Sequence, residues 1–201
     1  MKITYLGHAC FKLELGEFSL ITDPYQNGKI PGLGNLKEKA DVVICSHSHD
    51  DHNAHNVIDV TNRETPFEIT FFETYHDDAQ GAKRGMNKVH IITADGLKIV
   101  HMGDIGCELT TEQINLLAGA DLVMIPVGGF YTIDANQAFE MVKQILPKTV
   151  IPMHYRKDNV GFAEIATVDG FTHNFEDVIF VDSEYVLNGD KVVVMTPKYK
   201  G

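Results

Sequence analysis

The chain has 201 residues, 44% of them apolar and 9% aromatic, which suits one folded domain over residues 1–201 and excludes a disordered chain. Seventeen basic side chains against 28 acidic ones give a formal charge of −11, a poor match for nucleic acid. No apolar stretch is long enough for a membrane span, and the N-terminus lacks the unbroken apolar run of a signal peptide, so a soluble, cytoplasmic protein is expected.

In chain order, Ile3 to Leu6, Cys10 to Leu15 and Phe18 to Thr22 alternate or run apolar and predict an antiparallel meander. Residues 24–36 contain Pro24, Gly28, Pro31, Gly32 and Gly34, and they predict a loop. Asp41 to Cys45 reads as a buried strand, Phe67 to Thr74 as another, and Lys88 to Thr93 with Leu97 to Met102 as a hairpin about Asp95-Gly96. Thr110 to Gln113 fits a capping box, and Asp134 with Gln137 marks a second helix start. The second helix carries Ala135, Ala138, Phe139, Val142, Ile145 and Leu146 on one face and stops at Pro147. Ala120 to Pro126 and Thr149 to Met153 are strands, Phe162 to about Phe171 a helix, and Val178 to Val181 and Lys191 to Met195 two closing strands. Meanders interrupted by strand–helix–strand units predict an α/β fold of two mixed sheets face to face with helices outside.

Ten histidines stand out, four of them (His47, His49, His52, His55) within nine positions. The segment Ser46-His47-Ser48-His49-Asp50-Asp51-His52 follows a strand directly. In an extended segment, residues i and i+2 point to one side, so His47 and His49 can share one metal while Asp51 and His52, further round the turn, face a second. Two ions need more ligands than these four, and His76, Asp104 and His154 each stand just past the end of a predicted strand.

The landmarks Leu6-Gly7-His8-Ala9-Cys10, Thr22-Asp23-Pro24, His47 to His52, His76-Asp77-Asp78, Gly103-Asp104-Ile105-Gly106, Pro126-Val127-Gly128-Gly129 and Pro152-Met153-His154-Tyr155 appear in order. With them the whole chain resembles a compact member of the metallo-β-lactamase superfamily, near the uncharacterised metal-dependent hydrolases and the ascorbate-6-phosphate lactonase-like branch. The resemblance implies an αββα four-layer sandwich. It implies that His47, His49 and His76 hold one metal, that Asp51, His52 and His154 hold the other, and that Asp104 bridges them. Only 23 residues separate His52 from His76, too few for an inserted domain.

The expected function is a dinuclear metal-dependent hydrolase with a metal-bridging hydroxide, acting on a small ester, phosphoester or lactone. Zn²⁺ is the expected metal, with Mn²⁺ or Fe²⁺ as alternatives. Two divalent ions against two carboxylates and a hydroxide leave the site positive, which favours an anionic small-molecule substrate. Asp51 is expected to ligate and to orient the nucleophile; the resemblance places His8 near the metals, where it is expected to join Asp51 as a catalytic residue by touching a ligand or the substrate, the alternative being a structural histidine. Alternatives are an iron-dependent redox enzyme of the same fold and a non-catalytic metal-binding scaffold or sensor. The sequence leaves the substrate and the oligomeric state open.

Several side chains have two readings. Asp23 is an acceptor for a ligand imidazole or a turn residue. Asp77 and Asp78 orient His76 or solvate their loop. Lys83, Arg84, Arg156 and Lys157 clamp an anion or form a charged rim. Tyr131 and Tyr155 reach the substrate or pack. Cys10, Cys45 and Cys107 are read as apolar filling, His90, His101 and His173 as structural, and His55 as the outer face of a short helix.

Overall fold

The alternation at the N-terminus produces three antiparallel strands, β1 (Lys2–Gly7), β2 (Cys10–Leu15) and β3 (Phe18–Thr22), in a computed structural model that describes residues 1–201. β4 (Glu38–Ala40), β5 (Val42–Ile44), a single 3-10 turn (His55–Val57) and β6 (Ile58–Val60) follow. The second meander is β7 (Glu68–Tyr75), β8 (Met86–Ala94) and β9 (Leu97–His101). Its tight turn at Asp95-Gly96 has both residues at positive φ, 54° and 72°, as a two-residue hairpin of matching twist requires. The remainder is α1 (Thr111–Leu117), β10 (Leu122–Pro126), α2 (Ala135–Ile145), β11 (Thr149–Met153), α3 (Asp169–Thr172), β12 (Val178–Val181), β13 (Glu184–Val186) and β14 (Val192–Met195).

Five strands form a small sheet in the order β13-β1-β2-β3-β5, and seven form a large one in the order β12-β14-β11-β10-β9-β8-β7. β4 and β6 make a separate parallel pair. Along the large sheet, successive side chains enter opposite layers. Leu122 and Met124 pack between the sheets with Ile3, Phe11 and Leu13, while Val123 and Ile125 pack with Leu117 of α1 and Ala138, Val142 and Ile145 of α2. On the far side of the small sheet, Leu6, Cys10 and Ile21 are covered by Tyr25, Ile30, Leu33 and Leu36 of the glycine-containing segment and by Ile58 of β6. The result is a sandwich of two mixed sheets in which the α-helices cover the large sheet, while the outer layer expected on the small sheet is made by the segment at 25–36, the 3-10 turn and the β4–β6 pair instead of a full helix.

Local differences from the sequence expectation have physical causes. β5 is a half-buried edge strand, since nothing pairs beyond it in the small sheet. The helix expected from Phe162 shrinks to α3, because residues 162–168 spend their backbone on neighbouring loops. Ala166 N–H donates to Gly128 O at 2.8 Å, and Arg156 N–H to Ala166 O at 2.9 Å. Both capping boxes form, at Thr110/Gln113 and Asp134/Gln137. Leu146 leaves the apolar face of α2, being 73% exposed in a left-handed cap (φ 54°), and Met141 takes its place in the core. The short β4, β6 and β13 carry too few residues to show a period. No helix is long and apolar enough to cross a membrane.

Because Ile99 is fully buried in the layer between the sheets, Ile99→Ala is expected to lower stability by about 2–5 kcal/mol, read from the denaturant midpoint. A loss below about 0.5 kcal/mol would show that this layer is not the core.

Candidate metal centre

Every polar residue of the site leaves the carboxyl end of a strand: His8 after β1, Asp23 after β3, Ser46 to His52 after β5, His76 after β7, Asp104 after β9 and His154 after β11. Three of them sit in left-handed backbone conformations, His8 at φ 60°, Asp23 at 40° and His154 at 52°. Such conformations cost energy for residues with a side chain, and they persist where the surroundings fix them. Two glycines make room for the cluster. Gly103 turns at φ 56°, where a Cβ would strike the Asn87 amide and Ser46, and a Cβ on Gly106 would lie 2.5 Å from Asp77 N.

The ligand atoms of His47, His49 and His76 lie within 4.8 Å of one another. So do those of His8, Asp51, His52 and His154. Asp104 stands between the two groups. Its Oδ2 is 3.1 Å from His52 Nε2, 3.2 Å from His154 Nε2 and 3.5 Å from His76 Nε2.

Asp23, fully buried, organises the imidazoles. It accepts from Ser46 N–H (2.7 Å), Ser46 Oγ–H (2.6 Å) and His52 Nδ1–H (2.8 Å). With Ser46 Oγ–H directed at Asp23, His47 Nδ1 donates to that hydroxyl at 2.9 Å. Both contacts fix the tautomer and turn the Nε2 atoms of His47 and His52 toward the cluster, where each is buried without a hydrogen-bond partner. Asn87, also fully buried, holds the strand end that carries Asp104. Its amide donates to Thr74 Oγ1 and Met102 O, and its Oδ1 accepts from Asp104 N–H at 2.8 Å.

The charges suit divalent cations. Burial lowers the pKa of His47 to about 3 and holds that of His76 below the usual range, so both are neutral ligands near pH 7. Burial opposes the ionisation of Asp104, but the imidazoles of His154 and His52 outweigh it and keep the carboxylate charged; His8 and His52 do the same for Asp51. For His52 burial pulls the pKa down, yet the carboxylates of Asp104 and Asp23 raise it well above the ordinary value. Imidazoles held neutral at His8, His47 and His76, ionised carboxylates and buried, unpartnered polar atoms (His47 Nε2, Asp104 Oδ1, both nitrogens of His8) fit metal ions.

The other sequence candidates divide. Arg84 and Tyr131 line the cleft of about 420 Å³ above the cluster, together with Lys29, Ser48 and Phe162. Arg156 and Lys157 do not line it, being tied to Thr167 and Val160, and Lys83 pairs with Asp78 at the surface. Of the two readings for Tyr155, the packing one holds: it is buried and donates to Met195 O, and it does not line the cleft. Asp77 neither touches the His76 ring nor merely solvates. It accepts from the backbone N–H groups of Ala79, Gly81, Lys83 and Arg84 and so pins the loop that presents Arg84. Cys10 is core, whereas Cys45 is half-buried with Sγ 3.1 Å from Nε2 of the exposed His55. Cys107 packs against the helix-side core. His101 is satisfied by Ala9 O and Gly103 N–H, His90 is buried beneath Phe71, and His173 bonds within its own turn. Sequence reasoning missed Lys29, Ser46, Asn87 and Phe162; only Asn87, a polar residue facing inward from an apolar strand, carried a pattern signal.

A two-sheet sandwich with a histidine–aspartate cluster at its strand ends defines the class of this protein. Residues 2–154 match the β-lactamase superfamily domain family, and the chain belongs to the metallo-β-lactamase superfamily. It is similar to a protein named UPF0173 metal-dependent hydrolase from Pelotomaculum thermopropionicum, with 29% identity over 194 residues, 77% of this chain and 84% of the relative. A Thermotoga maritima protein described as a Zn-dependent hydrolase of the metallo-β-lactamase superfamily superimposes with a TM-score of 0.76 at 33% identity, covering 96% of this chain and 97% of the other. Igni18 from Ignicoccus hospitalis shares the fold, with a TM-score of 0.69 at 24% identity and coverage of 98% and 95%.

The carboxylates of Asp104 and Asp23 favour the protonated form of His52, so binding of Zn²⁺ through this imidazole is expected to release a proton. Calorimetry in buffers of different ionisation enthalpy is expected to show at least about one proton released near pH 7, with affinity rising as pH rises, and a smaller release for Asp23→Asn. No proton release would contradict this electrostatic account.

Proposed function

We propose that the protein is a dinuclear metal-dependent hydrolase that cleaves an ester, phosphoester or lactone bond in a small anionic substrate. The observation that carries this reading is the position of Asp104 between two separate ligand groups, His47/His49/His76 on one side and Asp51/His52/His154 on the other. Zinc is the metal favoured by an imidazole and carboxylate set, with manganese or iron accommodated by the same donors.

Two divalent ions held there supply Lewis acidity, bringing the pKa of water down to ~7 and stabilising negative charge as it develops. The chain supplies the rest. Asp51 is ionised and lines the cleft, so it would hold one ion and orient a water for attack. Asp104 lines the floor of the cleft and keeps the two ligand groups in one geometry. Tyr131 and Phe162 face each other at 5.8 Å between ring centres and form an aromatic wall that excludes water from one side.

Two basic side chains, Arg84 and Lys29, stand at the mouth. The Arg84 guanidinium lies 5.5 Å over the Tyr131 ring and has no carboxylate partner. Lys29 lines the same cleft, paired only with the exposed Asp50 at 3.3 Å. Together they receive a carboxylate or phosphate on the substrate.

The deciding experiment is elemental analysis of untagged protein purified without chelators, followed on the same sample by a panel of phosphodiesters, phosphomonoesters, carboxylic esters and lactones. About two Zn or Mn per chain with hydrolysis supports the proposal. Firmly held metal, iron included, with no hydrolysis overturns it in favour of redox chemistry or a scaffold. On any anionic substrate so found, Arg84→Ala is expected to raise KM about tenfold or more with a smaller change in kcat, since it removes a binding contact remote from the reacting bond. An unchanged KM would remove Arg84 from substrate recognition.

A further inference from the structure

His8 has no ordinary structural role. Its ring is buried, with a side-chain exposure of 1%, and neither Nδ1 nor Nε2 has a hydrogen-bond partner. Buried polar atoms are as a rule satisfied, and His101, a structural histidine in the same region, uses both nitrogens. The nearest acceptor of His8, Asp51 Oδ2, is 3.4 Å from Nε2 and makes no hydrogen bond with it.

The backbone holds His8 in this position at a cost. The residue is left-handed, φ 60°, and its carbonyl is fixed by Tyr5 Oη–H and by His154 N–H, each at 3.0 Å. That second bond couples the ends of β1 and β11, one from each sheet. It sets the two rings 4.1 Å apart between centres, with His52 at 5.2 Å and the edge of Phe162 at 5.5 Å.

We infer that His8 is a metal ligand, the fourth side chain of the group formed by Asp51, His52 and His154. This assignment rests on the two-metal reading above. The His8 group brings three imidazoles and a carboxylate together, their ligand atoms within 4.8 Å of one another, and His8 is the member whose two nitrogens are both buried without a partner. Asp51 and His154 of this group line the cleft, whereas His8 and His52 are buried and do not.

Cobalt(II) titration of metal-free protein, followed by absorption, tests the assignment without reference to activity. The wild type is expected to bind about two equivalents. His8→Ala should retain the first equivalent and lose affinity for the second by about 100-fold or more, given that even an outer partner of a ligand is worth 10–100-fold. His8→Cys should restore the second equivalent and add a thiolate-to-cobalt charge-transfer band that the wild type lacks. That band reports ligation directly and also decides the matter if His8→Ala fails to fold. Unchanged affinity for both equivalents in His8→Ala, or no charge-transfer band in a folded His8→Cys, overturns the assignment while the two-metal reading stands. Fewer than two equivalents in the wild type overturns both.

Discussion

The buried carboxylate of Asp23 is the contact on which the centre depends. Removing a carboxylate from water costs several kcal/mol unless donors replace the lost hydration, and here three donors do so. Those donors are the residues that need positioning: Ser46, which opens the histidine segment and orients His47, and His52 itself. Asp23 N–H also bonds Ile44 O at 2.9 Å, so the ends of β3 and β5 are tied through backbone and side chain together. Electrostatic compensation and geometric placement are thus one arrangement. The carboxylate is stabilised because the imidazoles face it, and the imidazoles face the cluster because their other nitrogens are engaged.

A similar device recurs at the rim with a different purpose. Asp77 gathers four backbone N–H groups of the following loop, and the loop it folds carries Arg84 to the mouth of the cleft. An arginine on an unconstrained loop would lose conformational entropy on meeting an anion, and one placed beforehand over Tyr131 loses less. Asp23 and Asp77 follow the strand ends of different sheets, and in both cases a carboxylate fixes a backbone segment whose neighbours do the binding.

What the sequence revealed follows from which interactions leave a period. The β1–β3 meander, the β8–β9 hairpin and α2 were legible because their burial repeats every two residues or at helical spacing, with the turn and cap chemistry in place at Asp95-Gly96 and Asp134/Gln137. The histidine segment was legible because so many ligating side chains in one turn need a reason. Residues 162–168 misled, because their apolar side chains serve different places, Phe162 at the cleft and Val168 in the helix-side core, and their backbone bonds to other loops. Ser46 and Lys29 were silent: a serine before a histidine and a lysine in a glycine-containing loop acquire meaning only when β3, β5 and the loop at Pro24–Gly34 come together in space.

The same reasoning explains where specificity resides. The seven-stranded sheet and its helices set the strand ends, and any chain with this architecture would deliver His76, Asp104 and His154 to one floor. The walls differ in kind. Lys29 comes from the segment over the small sheet, Arg84 from the Asp77 loop, and Phe162 from the stretch that failed to become a helix. None of the three is held by sheet pairing, and Lys29 and Arg84 can change without disturbing the core, whereas Phe162 also packs against the apolar cluster over the small sheet. The residues of the histidine–aspartate cluster cannot change, because their backbones follow strand ends and, at His8 and His154, bond to each other across the two sheets. The cluster is therefore fixed by the sandwich, and the walls of the cleft are left to three loops whose residues obey no periodic pattern.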